Sequence, residues 1–443
     1  MSANEALRKI PVVVHSPTQN APRGVVIKGL EWKRHALQIG TLVLLVLIPI
    51  LGIFRIDTSA GFVVMGRQIW FSDFSIVFGF WLAMACLLIM FYSTLGTAFC
   101  GWVCPQNTLS AWANKLTARH LGKRAVLDWD GTENAHVSPG KNKSRNWFML
   151  SAKLLLASLG VALLPMLYFY EPDVVLSFVI FRDDPRVIGS LYLIYSVFVL
   201  LVLGNLAVMR YYICRYTCVY RIWQFLFKTR QTLHVVYDES RSDNCVKCNF
   251  CETTCPVDIN PRNTLLFDSC TNCGECITAC DSLHIKHGTP GLLTFEFGER
   301  KKVEGAVQSS SNLASLAQRA GWALPAFSLG AALLIWGMWN YQSYSFSVYR
   351  AETSVGANFS DYRISVAHKI YGPGAATIQV EGLPEDAYTL DTSQAVFKTA
   401  ERKDIGLHIG GNLAPGLHPF VVHMQTADGR RESFRVQHFV GKV

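Results

Sequence analysis

Charged side chains are scarce in this sequence. Only 16% of its 443 residues are Asp, Glu, Lys or Arg, half are hydrophobic, and the mean hydropathy is positive. Soluble domains average about 25% charged residues, so the deficit argues against an ordinary soluble protein and favours membrane spans. The net charge of +9 lies beside hydrophobic segments rather than on a separate basic face. We therefore expect no nucleic-acid partner.

Other features are missing as well. No small-residue cleavage site follows the first apolar run, which argues against a cleavable signal peptide. The region 344–443 contains no cysteine, so we expect it to fold without a disulfide. No acid–base dyad is evident, and the one-electron chemistry indicated by the cysteines below needs none.

Cysteine, by contrast, is concentrated. Eight of the thirteen cysteines lie between residues 245 and 280, as two copies of the spacing Cys-x2-Cys-x2-Cys-x3-Cys. This is the bacterial ferredoxin run, in which three thiolates bind one [4Fe–4S] cube and the fourth reaches the other cube. The pattern predicts two ligand sets: Cys245, Cys248, Cys251 and Cys280 for one cluster, and Cys270, Cys273, Cys276 and Cys255 for the other.

Two alternatives for these cysteines are less favoured. A zinc site would show two pairs separated by a dozen or more residues. A disulfide framework would need an oxidising compartment, which the topology argues against. The run therefore predicts an electron-transfer protein.

Apolar stretches predict an α-helical membrane bundle of about five spans. These stretches cover about 36–54, 74–99, 147–170 and 187–209, with a fifth at 321–343. The loop 97–146 carries seven Lys or Arg residues, whereas the loops 55–73 and 171–186 carry two each. By the positive-inside rule, the N-terminal segment 1–35, the loop 97–146 and the ferredoxin segment 232–300 face the cytoplasm. The predicted bundle domain is then 36–231.

The C-terminal region changes character and falls on the opposite, periplasmic side. Short alternating runs with Gly and Pro turns predict a small β-sandwich over 344–443. Asp428-Gly429 is a hairpin signal between its last two strands. The predicted strands are Tyr344–Tyr349, Tyr362–Ile370, Thr377–Val380, Phe420–Gln425 and Glu432–Val440.

Four further cysteines form two matched pairs. Cys100 and Cys104 follow the second predicted span, and Cys214 and Cys218 follow the fourth. A separation of four residues predicts both thiols of a pair on one face of a helix, about 5–6 Å apart between Cβ atoms. Two such helices would bring four thiols together. The group suits Cu(I), with zinc, another iron centre or simple packing as alternatives.

The remaining sulfur and imidazole groups are less informative. Cys86 stands alone within the second span and is predicted to be a packing residue. His418, His423, Met424 and His438 could bind copper outside the membrane. They show no close ligand spacing, so ordinary positions on strands are preferred.

Three motifs together resemble a known family. Cys-Gly-Trp-Val-Cys-Pro-Gln at 100–106, Cys-Arg-Tyr-Thr-Cys at 214–218 and the eight-cysteine run are similar to the cytochrome c oxidase accessory proteins of the CcoG/FixG/RdxA family. The resemblance covers essentially the whole chain. It implies a membrane bundle with a cytoplasmic dicluster ferredoxin-like α+β insert and a C-terminal immunoglobulin-like all-β sandwich.

The resemblance also implies a function and partners. Members of this family are understood to reduce Cu(II) to Cu(I) in the bacterial inner membrane for assembly of cbb3-type oxidase. Copper chaperones and oxidase assembly factors would be partners, besides membrane lipid and an electron donor that is a cytoplasmic reductant or a quinol. A homodimer is left open. By this resemblance Cys100, Cys104, Cys214 and Cys218 form the copper-handling or redox site.

Two other functions compete with the cupric reductase. One is a membrane conduit that passes quinol electrons to a partner reductase, with the paired cysteines structural or holding another redox centre. The other is an assembly scaffold whose clusters sense oxygen or redox state. Because the potentials of [4Fe–4S] centres span about −700 to +450 mV, sequence does not fix the direction of electron flow.

Overall fold

Long apolar stretches form the longest helices of the fold. A computed structural model describes residues 29–57, 61–126, 136–228, 232–264, 268–285, 289–297, 300–303, 306–309, 321–350, 361–410 and 413–440. Most of the predicted N-terminal segment, residues 1–28, lies outside the described residues. The described helices are α1 (Leu30–Ile50), α2 (Phe74–Leu95), α3 (Ala98–Trp102), α4 (Pro105–His120), α5 (Ser144–Phe169), α6 (Pro172–Val179), α7 (Ser190–Gly204), α8 (Tyr220–Phe227), α9 (Phe250–Thr253), α10 (Glu275–His284) and α11 (Leu324–Trp339).

Four helical segments are long and apolar enough to cross a membrane. They are α1, α2, α5 and the segment Ser190–Met209, which is α7 with its π-helical continuation. They coincide with four of the five predicted spans, with shifted ends. The second span ends at Leu95 rather than at 99, because Gly96 turns the chain with a φ of 59°. Helix α11 has 16 residues and reaches about 24 Å, less than the roughly 30 Å hydrocarbon core. The fifth span therefore stays a prediction.

The strands form five small antiparallel sheets among the described residues. They are β1 (Phe54–Asp57), β2 (Gly61–Val64), β3 (Arg67–Ile69), β4 (His234–Tyr237), β5 (Leu293–Glu296), β6 (Arg300–Val303), β7 (Ala306–Ser309), β8 (Tyr344–Arg350), β9 (Asp361–His368), β10 (Gly374–Glu381), β11 (Tyr388–Leu390), β12 (Gln394–Phe397), β13 (Glu401–Ile409), β14 (Gly416–Thr426) and β15 (Arg431–Val440).

The chain divides into two units. The first comprises residues 1–47, 80–167 and 172–331. Within it, Ala113 of α4 and Leu121, the residue that follows α4, pack against Leu150 and Leu154 of α5 and against Leu206. This buried cluster fixes α4 beside the segment that leads to the second cysteine pair.

The ferredoxin segment has its own small core within the first unit. Strands β4 and β5 pair antiparallel, with Val235 opposite Phe295. Ile277 of α10 packs against both of these residues and against Leu293. The segment is thus an α+β element, as the sequence predicts.

The second unit comprises residues 48–79, 168–171 and 332–443. It contains one four-stranded sheet in the order β12-β10-β14-β15 and another in the order β11-β13-β9-β8. Residues from both sheets form one buried cluster, with Leu407, Val422 and Ile364 fully buried. Strands β14 and β15 form the predicted hairpin, and Gly429 in its turn has a φ of 81°.

Sequence reasoning missed two parts of the second unit. Strands β11, β12 and β13 were not predicted. The supposed short loop 55–73 instead contains the three-stranded sheet β1-β2-β3. That sheet is bridged from Arg67 to Ile370, and Lys369 Nζ lies 2.8 Å from Asp73 Oδ1. The strands escaped notice because they have three to nine residues and partly polar sequences.

Candidate functional site

The first predicted ligand set surrounds a single cavity. Cys245, Cys248, Cys251 and Cys280 all line one cavity. The first three come from the turns around α9 and the fourth from α10, which packs beside α9. Cys248 is exposed to solvent. This cavity therefore lies at the surface of the ferredoxin segment.

The second predicted set surrounds a separate cavity. Cys270, Cys273, Cys276 and Cys255 line a cavity that shares no lining residue with the first. Each Cys-x2-Cys-x2-Cys turn is thus joined by the distant fourth cysteine of the other run. Two pockets with four thiols each fit two [4Fe–4S] cubes.

Hydrogen-bond donors and positively charged side chains lie next to these thiols. Leu292 N–H donates to Cys280 Sγ at 3.3 Å, and the Arg262 guanidinium donates to the Cys245 thiol. Burial raises the pKa of Cys270 to about 12, and the pKa of Cys255 to about 11, although N–H groups oppose the rise. The free thiols thus hold their protons at neutral pH. Binding a cationic cluster would release these protons, so binding is favoured by rising pH.

The paired cysteines have a different local structure from the one predicted. Cys100 lies in the five-residue helix α3, whereas Cys104 is extended (φ −61°, ψ 122°) and precedes α4. Cys214 lies in the π-helical turn Ile213–Thr217, and Cys218 is extended (φ −68°, ψ 115°). The prediction that each pair occupies one face of a continuous helix is therefore wrong. At the first pair the cause is Pro105, which disfavours helical geometry at the residue before it.

The four paired thiols nevertheless lie together. The pKa of Cys214 is raised to about 12 by burial and, secondarily, by negative charge on Cys104, Cys100 and Cys218. Burial likewise raises the pKa of Cys100 to about 12, with Cys104 and Cys218 adding to the rise. Each pair therefore contributes to one electrostatically coupled group of thiols.

A largely buried network of polar side chains holds the segment that carries Cys100 and Cys104 beside the segment that carries Cys214 and Cys218. Gln106, two residues after Cys104, exchanges reciprocal hydrogen bonds with the Asn205 amide at 2.9 and 2.7 Å. Arg210, four residues before Cys214, is buried and donates to Leu206 O, Asn114 Oδ1 and Thr117 Oγ1 at 2.8–2.9 Å. Arg210 also has a φ of 40°, an unusual conformation for a side chain of its size.

We expect Arg210→Met to destabilise the first unit by about 2–4 kcal/mol, because three hydrogen bonds to a buried cation are lost while the apolar stem is kept. The measurement is thermal unfolding of the purified protein, followed by tryptophan emission. Arg119→Met, at an exposed position on the same helix α4, is the control. Equal stability of the two variants would contradict this role for Arg210.

The turn that carries Cys100 packs directly on the second ligand set. A Cβ atom added to Gly101 would lie 2.6 Å from Thr271 O and 2.7 Å from Cys273 Cα. Thr97 Oγ1 donates to Cys270 O at 2.7 Å, and Trp102 Nε1 donates to Asn272 O at 2.9 Å. The paired cysteines are therefore joined to the ferredoxin segment by backbone contact.

Tyr211 forms a second link between the two sites. Its side chain is buried, and burial raises the pKa of its hydroxyl well above the ordinary value. The same hydroxyl is influenced by the charges of both Cys273 and Cys214. The Tyr211 hydroxyl is thus within electrostatic range of both the second ligand set and the second cysteine pair.

Several of these residues were missed by sequence reasoning. Gly101 and Trp102 stand inside a quoted motif, but the motif says nothing of their partners about 170 residues away. Gln224, whose Nε2 donates to Cys100 Sγ at 2.7 Å, carries no sequence signal. Only Gly101 offered a hint, because a glycine next to a functional cysteine is typical of close backbone approach.

His418, His423, Met424 and His438, for which ordinary positions on strands were preferred, do not form a preformed metal site. Among the described residues, no three His, Cys, Asp or Glu side chains are grouped so as to hold one metal ion. His423 pairs with Glu381 at 2.9 Å, and His438 contacts the hydroxyl of Tyr362 at 3.0 Å. Met424 is part of the core. Cys86 is buried within α2, as expected of a packing residue.

Comparison with family models supports the two cysteine regions. The model described as "4Fe-4S dicluster domain" matches residues 240–297, which contain the eight-cysteine run. The model described as "4Fe-4S binding domain" matches residues 77–124, which contain Cys100 and Cys104.

Curated relatives agree with the family resemblance. The chain is 25% identical over 258 residues to Protein RdxA of Cereibacter sphaeroides, covering 53% of this chain and 51% of the relative. It is 26% identical over 255 residues to nitrogen fixation protein FixG of Rhizobium meliloti, covering 52% and 45%. The putative electron transport protein YccM of Escherichia coli is 26% identical over 189 residues, covering 42% and 49%.

The chain spans about half the length of these curated relatives. A solved structure, a FixG-related protein from Vibrio parahaemolyticus, matches 23% of this chain and 99% of its own, with 13% identity and a TM-score of 0.19. The curated names and the two family models together confirm the resemblance to FixG and RdxA.

Proposed function

We propose that this iron–sulfur electron-transport protein, a relative of FixG and RdxA, reduces Cu(II) to Cu(I) at the membrane for assembly of a cbb3-type cytochrome c oxidase. The family resemblance supplies the substrate and the pathway. Copper chaperones and oxidase assembly factors are the proposed recipients of Cu(I). A cytoplasmic reductant or a quinol is the proposed donor.

The eight ferredoxin thiols are assigned to two clusters. When bound, these [4Fe–4S] clusters supply one-electron transfer. The assignment is supported by the two separate four-cysteine cavities. The proposed ligand sets are Cys245, Cys248, Cys251 and Cys280 for the first cluster, and Cys270, Cys273, Cys276 and Cys255 for the second.

The contact between Gly101 and the Thr271–Cys273 backbone carries the proposal. This contact places the paired cysteines next to the second ligand set, whereas the first ligand set includes the exposed Cys248. An electron donor can therefore approach the first set. Electrons can leave to an acceptor at the paired cysteines, which are Cys100, Cys104, Cys214 and Cys218. Thiolate ligands stabilise Cu(I) over Cu(II), so copper arriving at these sulfurs is easier to reduce.

The proposed location is the bacterial inner membrane. Four helices are long and apolar enough to span it, and α11 is proposed as the fifth span. The basic loop around α4 supports a cytoplasmic position for the ferredoxin segment, and five spans would then put residues 344–443 in the periplasm.

The test mixes anaerobically reduced protein with Cu(II) in a stopped-flow spectrometer. We expect reoxidation of the clusters at the same rate as Cu(I) appears, detected with a Cu(I)-specific chromophoric chelator. One Cu(I) should form for each electron lost.

Two results would contradict the proposal. One is reoxidation without Cu(I), and the other is no reaction with Cu(II). The relationship to the putative electron transport protein YccM supports a membrane electron conduit as second candidate. Quinol-dependent reduction of a partner protein, insensitive to copper chelators, would support that conduit.

A further inference from the structure

One face of helix α1 lies against the ferredoxin segment. Leu30, Arg34 and Gln38 are spaced four residues apart in this helix, so they share a face. Leu30 packs with the core of the ferredoxin segment. Gln38 Nε2 donates to Gly101 O at 3.2 Å, in the turn that carries Cys100. Helix α1 therefore contacts the ferredoxin segment and the turn of the first cysteine pair together.

Between these two contacts, Arg34 reaches the backbone of the second ligand set. Its side chain is 5% exposed, and Nη1 donates to Cys273 O at 2.8 Å. Nη2 pairs with the carboxylate of Glu275, whose side chain is 24% exposed. Water screens the more exposed carboxylate better than the buried guanidinium, so positive charge prevails beside Cys273.

One donor of this buried cation is unused by the chain. Arg34 Nε is buried and has no hydrogen-bond partner among the described residues. Most buried polar atoms in folded proteins do have a partner. The sulfurs of an iron–sulfur cluster accept N–H hydrogen bonds. A cluster held by the second ligand set therefore has the chemistry to serve this donor.

A cation is useful here because the second ligand set is the less exposed of the two. Its Cys276 is buried and none of its four cysteines is exposed, whereas the first set includes the exposed Cys248. Reduction adds a negative charge to a cluster, and that charge is harder to accommodate away from water. Burial alone therefore favours keeping electrons on the first cluster, and a positive charge beside the second set opposes this.

We propose that the Arg34 guanidinium raises the reduction potential of the cluster bound by the second ligand set, and so favours transfer of electrons from the first set toward the paired cysteines. One electron leaves the first cluster and reduces the second, and no covalent bond forms or breaks. Arg34 is a positioning residue, because it acts through its charge and through the Cys273 backbone and is not a ligand. The inference rests on the two-cluster assignment of the proposed function and is independent of copper.

The test is a redox titration of the full chain, purified anaerobically with its clusters and followed by electron paramagnetic resonance of the reduced clusters. Arg34→Met keeps the apolar stem and removes the charge. We expect the reduction equilibrium of one cluster to become at least about tenfold less favourable, which is a fall of about 59 mV for one electron. Arg34→Lys keeps the charge and should restore most of the natural potential.

Two matched variants separate the effect of charge from damage to the loop. Glu275→Gln removes the opposing charge, so the potential that falls in Arg34→Met should rise in this variant. Arg262 lines the cavity of the first ligand set. Arg262→Met should therefore lower the potential of the other cluster and leave that of the second cluster unchanged.

Both potentials unchanged in Arg34→Met would overturn the inference. So would a fall in Glu275→Gln, because loosening of the loop would then set the potential. If Arg34→Met loses the second cluster, Glu275→Gln decides: a rise supports the inference, and no change or a fall overturns it. Fewer than two titrating clusters in the natural protein would refute the two-cluster assignment and this inference with it. Shifted potentials in a protein that does not reduce Cu(II) would refute the cupric reductase only.

Discussion

Gly101→Ala is expected to weaken the attachment of the ferredoxin segment by about 1–3 kcal/mol, the usual cost of overpacking. The added methyl would lie 2.6 Å from Thr271 O and 2.7–2.8 Å from the Cα and N of Cys273. These neighbours are backbone atoms, so they cannot move aside as a flexible side chain would. Alanine is the better helix former by about 1 kcal/mol, so any loss of stability comes from the collision.

The measurement is the temperature at which the visible absorbance of the clusters is lost. It should fall by several degrees in Gly101→Ala. The rate of amide hydrogen exchange at residues 270–273 should rise in this variant, because the added methyl would strain the hydrogen bond from Thr97 to Cys270 O. Gly160→Ala is the matched control, since this glycine also lies in a helix and has no atom within 4 Å of the added Cβ. Equal thermal stability of the two variants would contradict direct packing at Gly101.

The ferredoxin ligand sets were the easiest part to predict from the sequence. Their pattern is short, repeated and tied to one kind of chemistry. The structure places Cys255 and Cys280 in the cavities to which the pattern assigns them. The motif itself assigns the fourth cysteine of each run to the cluster of the other run. Predicting this assignment therefore required no knowledge of contacts between distant residues.

The long apolar helices were predictable for a different reason. Apolar length alone identifies a helix that can cross a bilayer, and the described residues contain four such helices. Their ends were less predictable, because ends depend on single residues. Gly96 ends α2 with a positive φ, and Cys104 leaves helical geometry before Pro105.

The junction between the two cysteine sites was not predictable. The contacts of Trp102 with Asn272 and of Gln224 with Cys100 join residues 170 and 124 positions apart. Local pattern carries no information about such pairs. Nothing in the local sequence indicates that Arg210 is buried and donates hydrogen bonds to three neutral acceptors.

The largest functional effect is expected from the paired cysteines. Cys100→Ser and Cys214→Ser should each lower the rate of Cu(II) reduction at least about 100-fold, since changes to groups that merely support a metal ligand already cost 10–100-fold. A serine hydroxyl is a hard ligand that neither favours Cu(I) nor replaces a thiolate on iron. The direction is the same whether the four sulfurs hold copper or another redox centre.

The assay uses protein whose ferredoxin clusters have been reduced chemically, so that the supply of electrons is the same in every variant. Cys86→Ala controls for the removal of a buried cysteine, and its rate should equal that of the natural protein, because Cys86 lies within α2 away from both motifs. Each serine variant must keep the visible spectrum of its ferredoxin clusters. An intact spectrum shows that a slower rate comes from the changed paired cysteine and not from misfolding of the ferredoxin segment. Rates in Cys100→Ser and Cys214→Ser within a factor of about two of the Cys86→Ala rate would mean that electrons reach copper elsewhere. In that case the contact at Gly101 would serve to hold the ferredoxin segment in place and not to connect two redox sites.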